Sequence, residues 1–325
     1  MRHSMRGLIS LCRSRRGNLV LNLGAGIFAL AISVLAARHF AGIGWPFANA
    51  DLRLVAAAGI LFLLAYAFKA YGWHRLFAPH ERPRPLTLAA SCGAASVSGA
   101  ALPGRFDEVV RIAVVRRATG GRAGVAPVCL SLFMLGLVDT AALMPLASTA
   151  AASADTSTGV RAAMGIVAFA GLGAAVVIAV LPRLVASGRL IRFRVARWLS
   201  TRVVSPRDAW QAWVLVLASW LTRAFGLFLL LHATGFRVSL PLAMVFLCAA
   251  AASGALPIAP AGAATQVGAG AAILIATGVS TGEAVTFAVG AQALVILAGA
   301  VVLLGAALWH GGRRLAVTRI RPLAS

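Results

Sequence analysis

Long apolar stretches at about 19–37, 54–70, 125–147, 162–182, 209–233 and 284–309 leave this chain little polar surface to set against water. A helix of ~20 predominantly apolar residues crosses a hydrocarbon core about 30 Å thick, and several of these runs carry no charge over roughly 18 residues. Composition agrees: 60% of the 325 residues are hydrophobic, 12% are charged, and the mean hydropathy is +0.90. Short alternating strands, the mark of a membrane β-barrel, are not visible. The pattern predicts an all-α, polytopic helical membrane protein with about six spans.

A formal net charge of +22 could suggest nucleic acid, but the basic residues follow a topology code. Of the 30 lysines and arginines, Arg38, Arg53, Arg161 and Arg237 fall on one side of the predicted spans and Arg223 inside one. All the others, Lys69 among them, fall on the opposite side. The positive-inside rule then places both termini in the cytoplasm of a multi-pass cell (inner) membrane protein. The predicted organisation is one integral membrane domain over 1–325, with basic cytoplasmic tails at 1–18 and 310–325. The first span follows a basic segment as a signal peptide would, yet its length and Arg38 beyond it favour a retained helix. Nucleic-acid binding would require basic residues interleaved with exposed aromatics on a soluble module, so no nucleic-acid partner is expected. Most arginines are assigned to orientation and to contact with anionic membrane lipids.

Ser98-Gly-Ala-Ala-Leu-Pro-Gly104 returns, one residue shorter, as Ser253-Gly-Ala-Leu-Pro257. Each copy interrupts an apolar segment. Paired interruptions in the two halves of a chain point to a repeat-built transporter whose site forms where the helices break. Residues 86–103 have strongly basic flanks, so both ends are expected in the cytoplasm; residues 240–278 have none and are expected to dip from the outer face. Two broken, re-entrant helical hairpins in an inverted repeat result, with halves at about 19–147 and 162–309. Pro103, Gly104, Pro257, Pro260 and Gly262 are the expected hinges. If they do break the helices, the freed N–H groups must line protein or a wet cavity and suit an anion; the alternative is that they only kink two ordinary spans.

Pro103-Gly-Arg-Phe-Asp-Glu-Val-Val-Arg111 resembles the P-G-R-x-G-E-x-x-R signature of the lysylphosphatidylglycerol synthase transmembrane-region family of flippase-like proteins. Trp73-His-Arg-Leu-Phe77 is similar to its basic-aromatic segment, and Leu256-Pro-Ile-Ala-Pro-Ala-Gly262 to a worn second L-P-x-P-G-G motif. Asp107 stands where the family usually has glycine, Ala261 and Ala264 replace glycines, and Gln266 is nearest to a commonly acidic position. No soluble aminoacyl-transfer domain is expected within this chain. The resemblance therefore implies lipid movement between leaflets, not lipid synthesis.

Asp139 and Arg223 are charges inside predicted spans. Each costs about 2.5–3.5 kcal/mol at the bilayer centre on insertion scales, so each needs a partner or a water-filled cavity. They lie in comparable places in the two halves with opposite signs, which suits a salt bridge, a headgroup contact, or a bridge that opens when an anionic lipid arrives. Arg105, Glu108 and Arg111, following the first break at three-residue intervals, are expected to shape an inner-leaflet headgroup entrance on an amphipathic interfacial helix. These five are the predicted substrate-binding residues. His74, His232 and His310 are read as interfacial anchors, and Trp45, Trp73, Trp198, Trp210, Trp213 and Trp309 as an aromatic belt. Glu283 either caps the last span or serves a proton-coupled step. The Gly24/Gly26 and Gly268/Gly270 pairs are expected to permit close helix contact. Cys12, Cys92, Cys129 and Cys248 show no metal or disulfide spacing, and no catalytic set or cofactor site can be assembled. The leading function is a flippase for an anionic or polyprenol-phosphate lipid headgroup. A non-transporting partner of a membrane-associated glycosyl- or aminoacyl-transferase is the alternative, and a lipid-modifying enzyme using Glu108 or Asp139 as general base the weaker third.

Overall fold

The structure, a computed structural model, describes residues 47, 50–101, 106–120, 124–154, 156–186, 205–236, 239–255 and 262–320. The first predicted span lies in the unit Met1–Ala48, outside the described residues apart from Phe47. From Asn49 onward the chain forms one compact unit. Its described elements are all helical: α1 (Leu52–Arg75), α2 (Pro85–Ala101), α3 (Phe106–Ala118), α4 (Val125–Ser153), α5 (Thr158–Ala186), α6 (Pro206–Ala233), α7 (Leu240–Ala255), α8 (Gly262–Ala276) and α9 (Thr281–Ile320), plus a 3-10 turn at Pro79–Glu81.

Five helices are long and apolar enough to cross a membrane: α1, α4, α5 over Thr158–Leu181, α6, and α9 over Thr281–Trp309. They coincide with five of the six predicted spans. Between them, α2 with α3 and α7 with α8 are shorter helices that pack on each other as hairpins. At 17 and 16 residues, α2 and α7 fall short of the ~20 a perpendicular crossing needs. The expected hinges Pro103, Gly104, Pro257 and Pro260 lie outside the described residues; Gly262 is the first residue of α8.

Helix starts follow the local chemistry. Asp51 caps α1 by accepting the Arg53 N–H at 2.8 Å. Ser205 accepts the Asp208 N–H at 3.1 Å, with Pro206 in the first turn of α6. Ser280 Oγ donates to Glu283 Oε2 at 2.7 Å and accepts the Glu283 N–H at 3.4 Å. These bonds give Glu283 the capping role, one of the two expected for it.

The core is organised around α1 and α6, which run antiparallel in contact over their whole lengths. At one end the Asp51 N–H donates to the Ala233 carbonyl at 3.1 Å. At the other, Arg82 Nη2 and Arg75 Nη1 lie 3.0 and 3.8 Å from Asp208 Oδ1. In the middle, Ser219 Oγ donates to the Ala65 carbonyl at 2.8 Å across 154 positions. That separation recurs on both sides of the midpoint. A Cβ on Gly72 would lie 2.9 Å from Val216 Cγ2 and 3.2 Å from the Ala212 carbonyl oxygen. A Cβ on Gly226 would lie 3.0 Å from Phe62 Cε1 and 3.4 Å from the Ala58 carbonyl oxygen. Gly226, Val216 and Ala212 follow Gly72, Phe62 and Ala58 by the same 154 positions that separate Ser219 from Ala65. Two glycines thus make one contact twice, related by an approximate two-fold axis near Ala65 and Ser219.

Packing elsewhere obeys the same exchange. α2 packs on α9 as α7 packs on α4; α1 on α9 as α6 on α4; α3 on α4 as α8 on α9. Within the hairpins, Ser98 Oγ donates to the Ala95 carbonyl at 3.2 Å and Ser253 Oγ to the Ala250 carbonyl at 2.8 Å. Gly99 faces Asp107 where Gly254 faces Gln266. α5 has no counterpart among the described residues and packs mainly on α4, where Gly171 meets Thr140 and Met144. Of the Gly268/Gly270 pair, Gly270 faces the Phe246 ring while Gly268 faces open space. The Gly24/Gly26 pair lies outside the described residues.

The two-fold contact predicts opposite effects for two glycines of one helix. Gly72→Ala must push α1 and α6 apart and is expected to destabilise by about 1–3 kcal/mol. Gly59, with nothing within 4 Å of an added Cβ, should become stabilising as alanine by up to about 1 kcal/mol through helix propensity. Thermal melts of both variants in detergent check this; equal shifts would contradict it.

Candidate functional site

The middle of the α1–α6 pair carries a short pattern twice: Tyr66-Ala-Phe-Lys-Ala-Tyr-Gly72 and Trp220-Leu-Thr-Arg-Ala-Phe-Gly226. Each reads aromatic, two spacers, cation, alanine, aromatic, glycine. The first aromatic and the cation, three apart, share a helix face. The glycine brings the other helix close enough for that face to meet its counterpart.

Lys69 is consequently buried, with Nζ 2.8 Å from Asp139 Oδ2 on α4 and 5.5 Å from the centre of the Trp220 ring. Trp220 Nε1 donates to the second oxygen, Asp139 Oδ1, at 3.1 Å. On the other side of the axis, Arg223 Cζ lies 5.3 Å from the Trp220 ring and 5.5 Å from the Tyr66 ring. Tyr66 Oη donates to the Val295 carbonyl of α9 at 3.2 Å and hydrogen-bonds Ser96 of α2. The two cations therefore flank the Trp220 indole, and electron-rich ring faces supply part of the solvation that lipid withholds, worth about 2 kcal/mol for a desolvated pair.

The salt bridge expected between Asp139 and Arg223 is not formed. Asp139 belongs to Lys69, and among the described residues no carboxylate lies within ion-pair distance of Arg223. The expectation misjudged which residues correspond. Arg223 matches Lys69, both following the aromatic of the shared pattern, and Asp139 matches Val295, since α4 corresponds to α9. Lys69 was counted among the cytoplasmic topology charges; α1 instead continues to Arg75 and carries Lys69 inside. The repeated aromatic-x-x-cation-Ala-aromatic-Gly pattern was the sequence signal for it.

Arg111 on α3 joins this region from the first hairpin. Its Nη2 lies 3.5 Å from Asp107 Oδ2, one turn back, and its Nε is buried with no hydrogen-bond partner. It lies within Coulombic range of both Lys69 and Tyr66. Glu108, expected on the Arg111 face, is exposed. The partner of Arg111 is Asp107, the residue at which this chain departs from the expected signature. Arg105 lies outside the described residues. α3 carries Asp107 and Glu108 in its first turn and Arg116 and Arg117 in its last, charges that suit the helix dipole.

Trp73, assigned to the aromatic belt, is fully buried and donates from Nε1 to Ser131 Oγ of α4 at 3.0 Å. Trp210 and Trp309 are exposed, as a belt requires, and Trp210 stacks on Trp213 at 4.9 Å. Trp45 and Trp198 lie outside the described residues, and so does the side chain of His310. His74 is held by the Pro83 carbonyl at 2.8 Å, and His232 lies against the Phe228 ring at 4.3 Å. Cys92, Cys129 and Cys248 are free thiols, and among the described residues no three His, Cys, Asp or Glu side chains group as metal ligands.

Three cations, Lys69, Arg111 and Arg223 from α1, α3 and α6, thus come together in a helix-packed region with two carboxylates, Asp139 and Asp107. The family model described as lysylphosphatidylglycerol synthase TM region matches residues 19–305. No curated protein and no solved structure matches the chain.

Proposed function

Because the chain belongs to the lysylphosphatidylglycerol synthase TM-region family, we propose that it is a multi-pass flippase that carries an anionic or polyprenol-phosphate lipid headgroup between leaflets. The match is to the membrane region and not to a catalytic domain, which supports a transporter without enzymatic activity of its own. The observation that carries the reading is Arg223, a mid-helix guanidinium lying over two aromatic rings with no carboxylate of the described residues within ion-pair distance. Charge buried in lipid is costly unless matched, and an anionic headgroup arriving at the site would match it. Arg is also the better phosphate partner, because its planar fork presents paired donors.

The arginine distribution supports an orientation in which the Arg75, Arg82 and Asp208 end faces the cytoplasm and both termini lie there. Arg111 would then meet headgroups at the inner leaflet. Lys69 and Arg223 lie four residues to either side of the two-fold axis, roughly 6 Å each along the helices. A phosphate passing from Arg111 to Lys69 to Arg223 would exchange one cation for the next while its acyl chains remain in lipid.

Protein reconstituted into phosphatidylcholine vesicles containing a trace of fluorescent phosphatidylglycerol is expected to expose the inner-leaflet label to an external quencher. Arg223→Ala is expected to slow this by roughly 10–100-fold, the equivalent of about 1.5–3 kcal/mol for a hydrogen bond to a charged group. Rates for the unaltered protein equal to those of empty vesicles would remove the transport reading.

A further inference from the structure

The two-fold relation allows each charge in the interior to be compared with what stands at its equivalent position, and in one place the comparison fails. Lys69 and Arg223 are equivalent cations, each beside an aromatic that hydrogen-bonds the opposite long helix. Trp220 Nε1 donates to Asp139 on α4, and Tyr66 Oη donates to Val295 on α9. Those two acceptor positions correspond: α4 and α9 make equivalent contacts with α6 and α1, and Asp139 follows Val125, the first residue of α4, by the same 14 positions by which Val295 follows Thr281, the first of α9. In one copy the acceptor is a side-chain carboxylate; in the other the side chain is isopropyl and only the backbone carbonyl is left to accept. The cation beside the carboxylate is neutralised at 2.8 Å, and its mate is not.

Charges in this interior therefore fall into pairs with one remainder. Lys69 is matched by Asp139 and Arg111 by Asp107, which leaves Arg223 with two ring faces. Ring faces lower the cost of a desolvated cation but do not cancel its charge. One counter-anion of unit charge closes the account; a second negative charge would find no free cation among the described residues around it.

We propose that Arg223, beside the Tyr66 and Trp220 rings, is a binding site for a single monoanionic phosphodiester, and that Val295, at the position equivalent to Asp139, sets this specificity by leaving the guanidinium open. A phosphodiester carries one negative charge at neutral pH. A phosphomonoester such as a polyprenyl phosphate carries about 1.5–2, which a single guanidinium leaves partly unmatched. Asp139 is the counter-anion built into the equivalent place, so the site is one-sided by construction. Which lipid fills it rests on the transport reading; the unpaired guanidinium does not.

The test is native mass spectrometry of the full chain in detergent, counting retained phosphatidylglycerol. The unaltered protein is expected to retain one molecule. Val295→Asp, which supplies the missing carboxylate, is expected to lose it at least tenfold in retention, and Arg223→Gln likewise. Undecaprenyl phosphate is expected to compete at least tenfold less well than phosphatidylglycerol. Glycerophosphoglycerol, the same diester without acyl chains, distinguishes sources: competition at millimolar concentration marks a site for the headgroup itself, and none marks a site that also requires the chains. Retention in Val295→Asp equal to the unaltered protein overturns the proposal, as does equal retention of the monoester. Should Val295→Asp fail to fold, Arg223→Gln and the monoester comparison decide alone. Vesicle transport is measured in parallel. Charge-dependent retention without transport removes the transport reading and leaves the site standing, while transport with retention indifferent to these changes does the reverse.

Discussion

Asp139→Ala is expected to destabilise the protein by about 3–5 kcal/mol, because it leaves the buried Lys69 ammonium without its counter-charge. The Trp220 indole N–H loses its acceptor in the same step, so two donors are stranded in an apolar interior. Removing both charges together, as Lys69→Met with Asp139→Leu, should recover most of the loss, since well-packed apolar residues replace buried ion pairs at little cost. Arg223→Met provides the contrast. Arg223 has ring contacts but no ionic partner to strand, so its loss is expected to spare stability while abolishing anion retention. Thermal melts of the four proteins in one detergent check the set. Asp139→Ala within about 1 kcal/mol of the unaltered protein would show that the pair is not formed in the membrane-extracted fold.

Trp73→Ala is expected to cost a similar amount, about 3–5 kcal/mol, through the cavity left by a fully buried indole between α1 and α4. Ser131 Oγ would lose the N–H it accepts, although the hydroxyl still donates to the Val128 carbonyl at 2.8 Å. Trp73→Phe keeps most of the volume and removes only the hydrogen bond, so it should cost about 1 kcal/mol. Trp210, 62% exposed, is the control: as alanine it should change the melting temperature little. Equal shifts for Trp73→Ala and Trp210→Ala would place Trp73 at the lipid interface after all.

Much of the architecture was legible because the bilayer imposes it. Hydropathy located the five long helices to within a few residues, since a hydrocarbon core of fixed thickness demands apolar runs of fixed length. The two Ser-Gly-Ala stretches lie in the last turns of α2 and α7, the short helices that pack on α3 and α8. The site was legible only in part. Arg223, Asp139 and Arg111 stood out because charge within apolar sequence is conspicuous. Lys69 did not, because it lies close to Arg75 and looked like one more basic residue at a span end. Trp73 was misplaced for the same reason: distance from a helix end in sequence does not say which side of the helix faces lipid.

Sequence alone determined that this chain is a helical membrane protein, which family it belongs to, and which few charges had to be explained. Those follow from local composition and spacing, which each segment carries with it. The tertiary structure decided who pairs with whom. Only the antiparallel crossing of α1 and α6 at Gly72 and Gly226 shows that Lys69 and Arg223 are equivalents and that Val295 stands where its counterpart is Asp139. A pairing between helices depends on their crossing and on their rotation about their own axes. Packing of glycine against backbone fixes both, and no single segment contains that information.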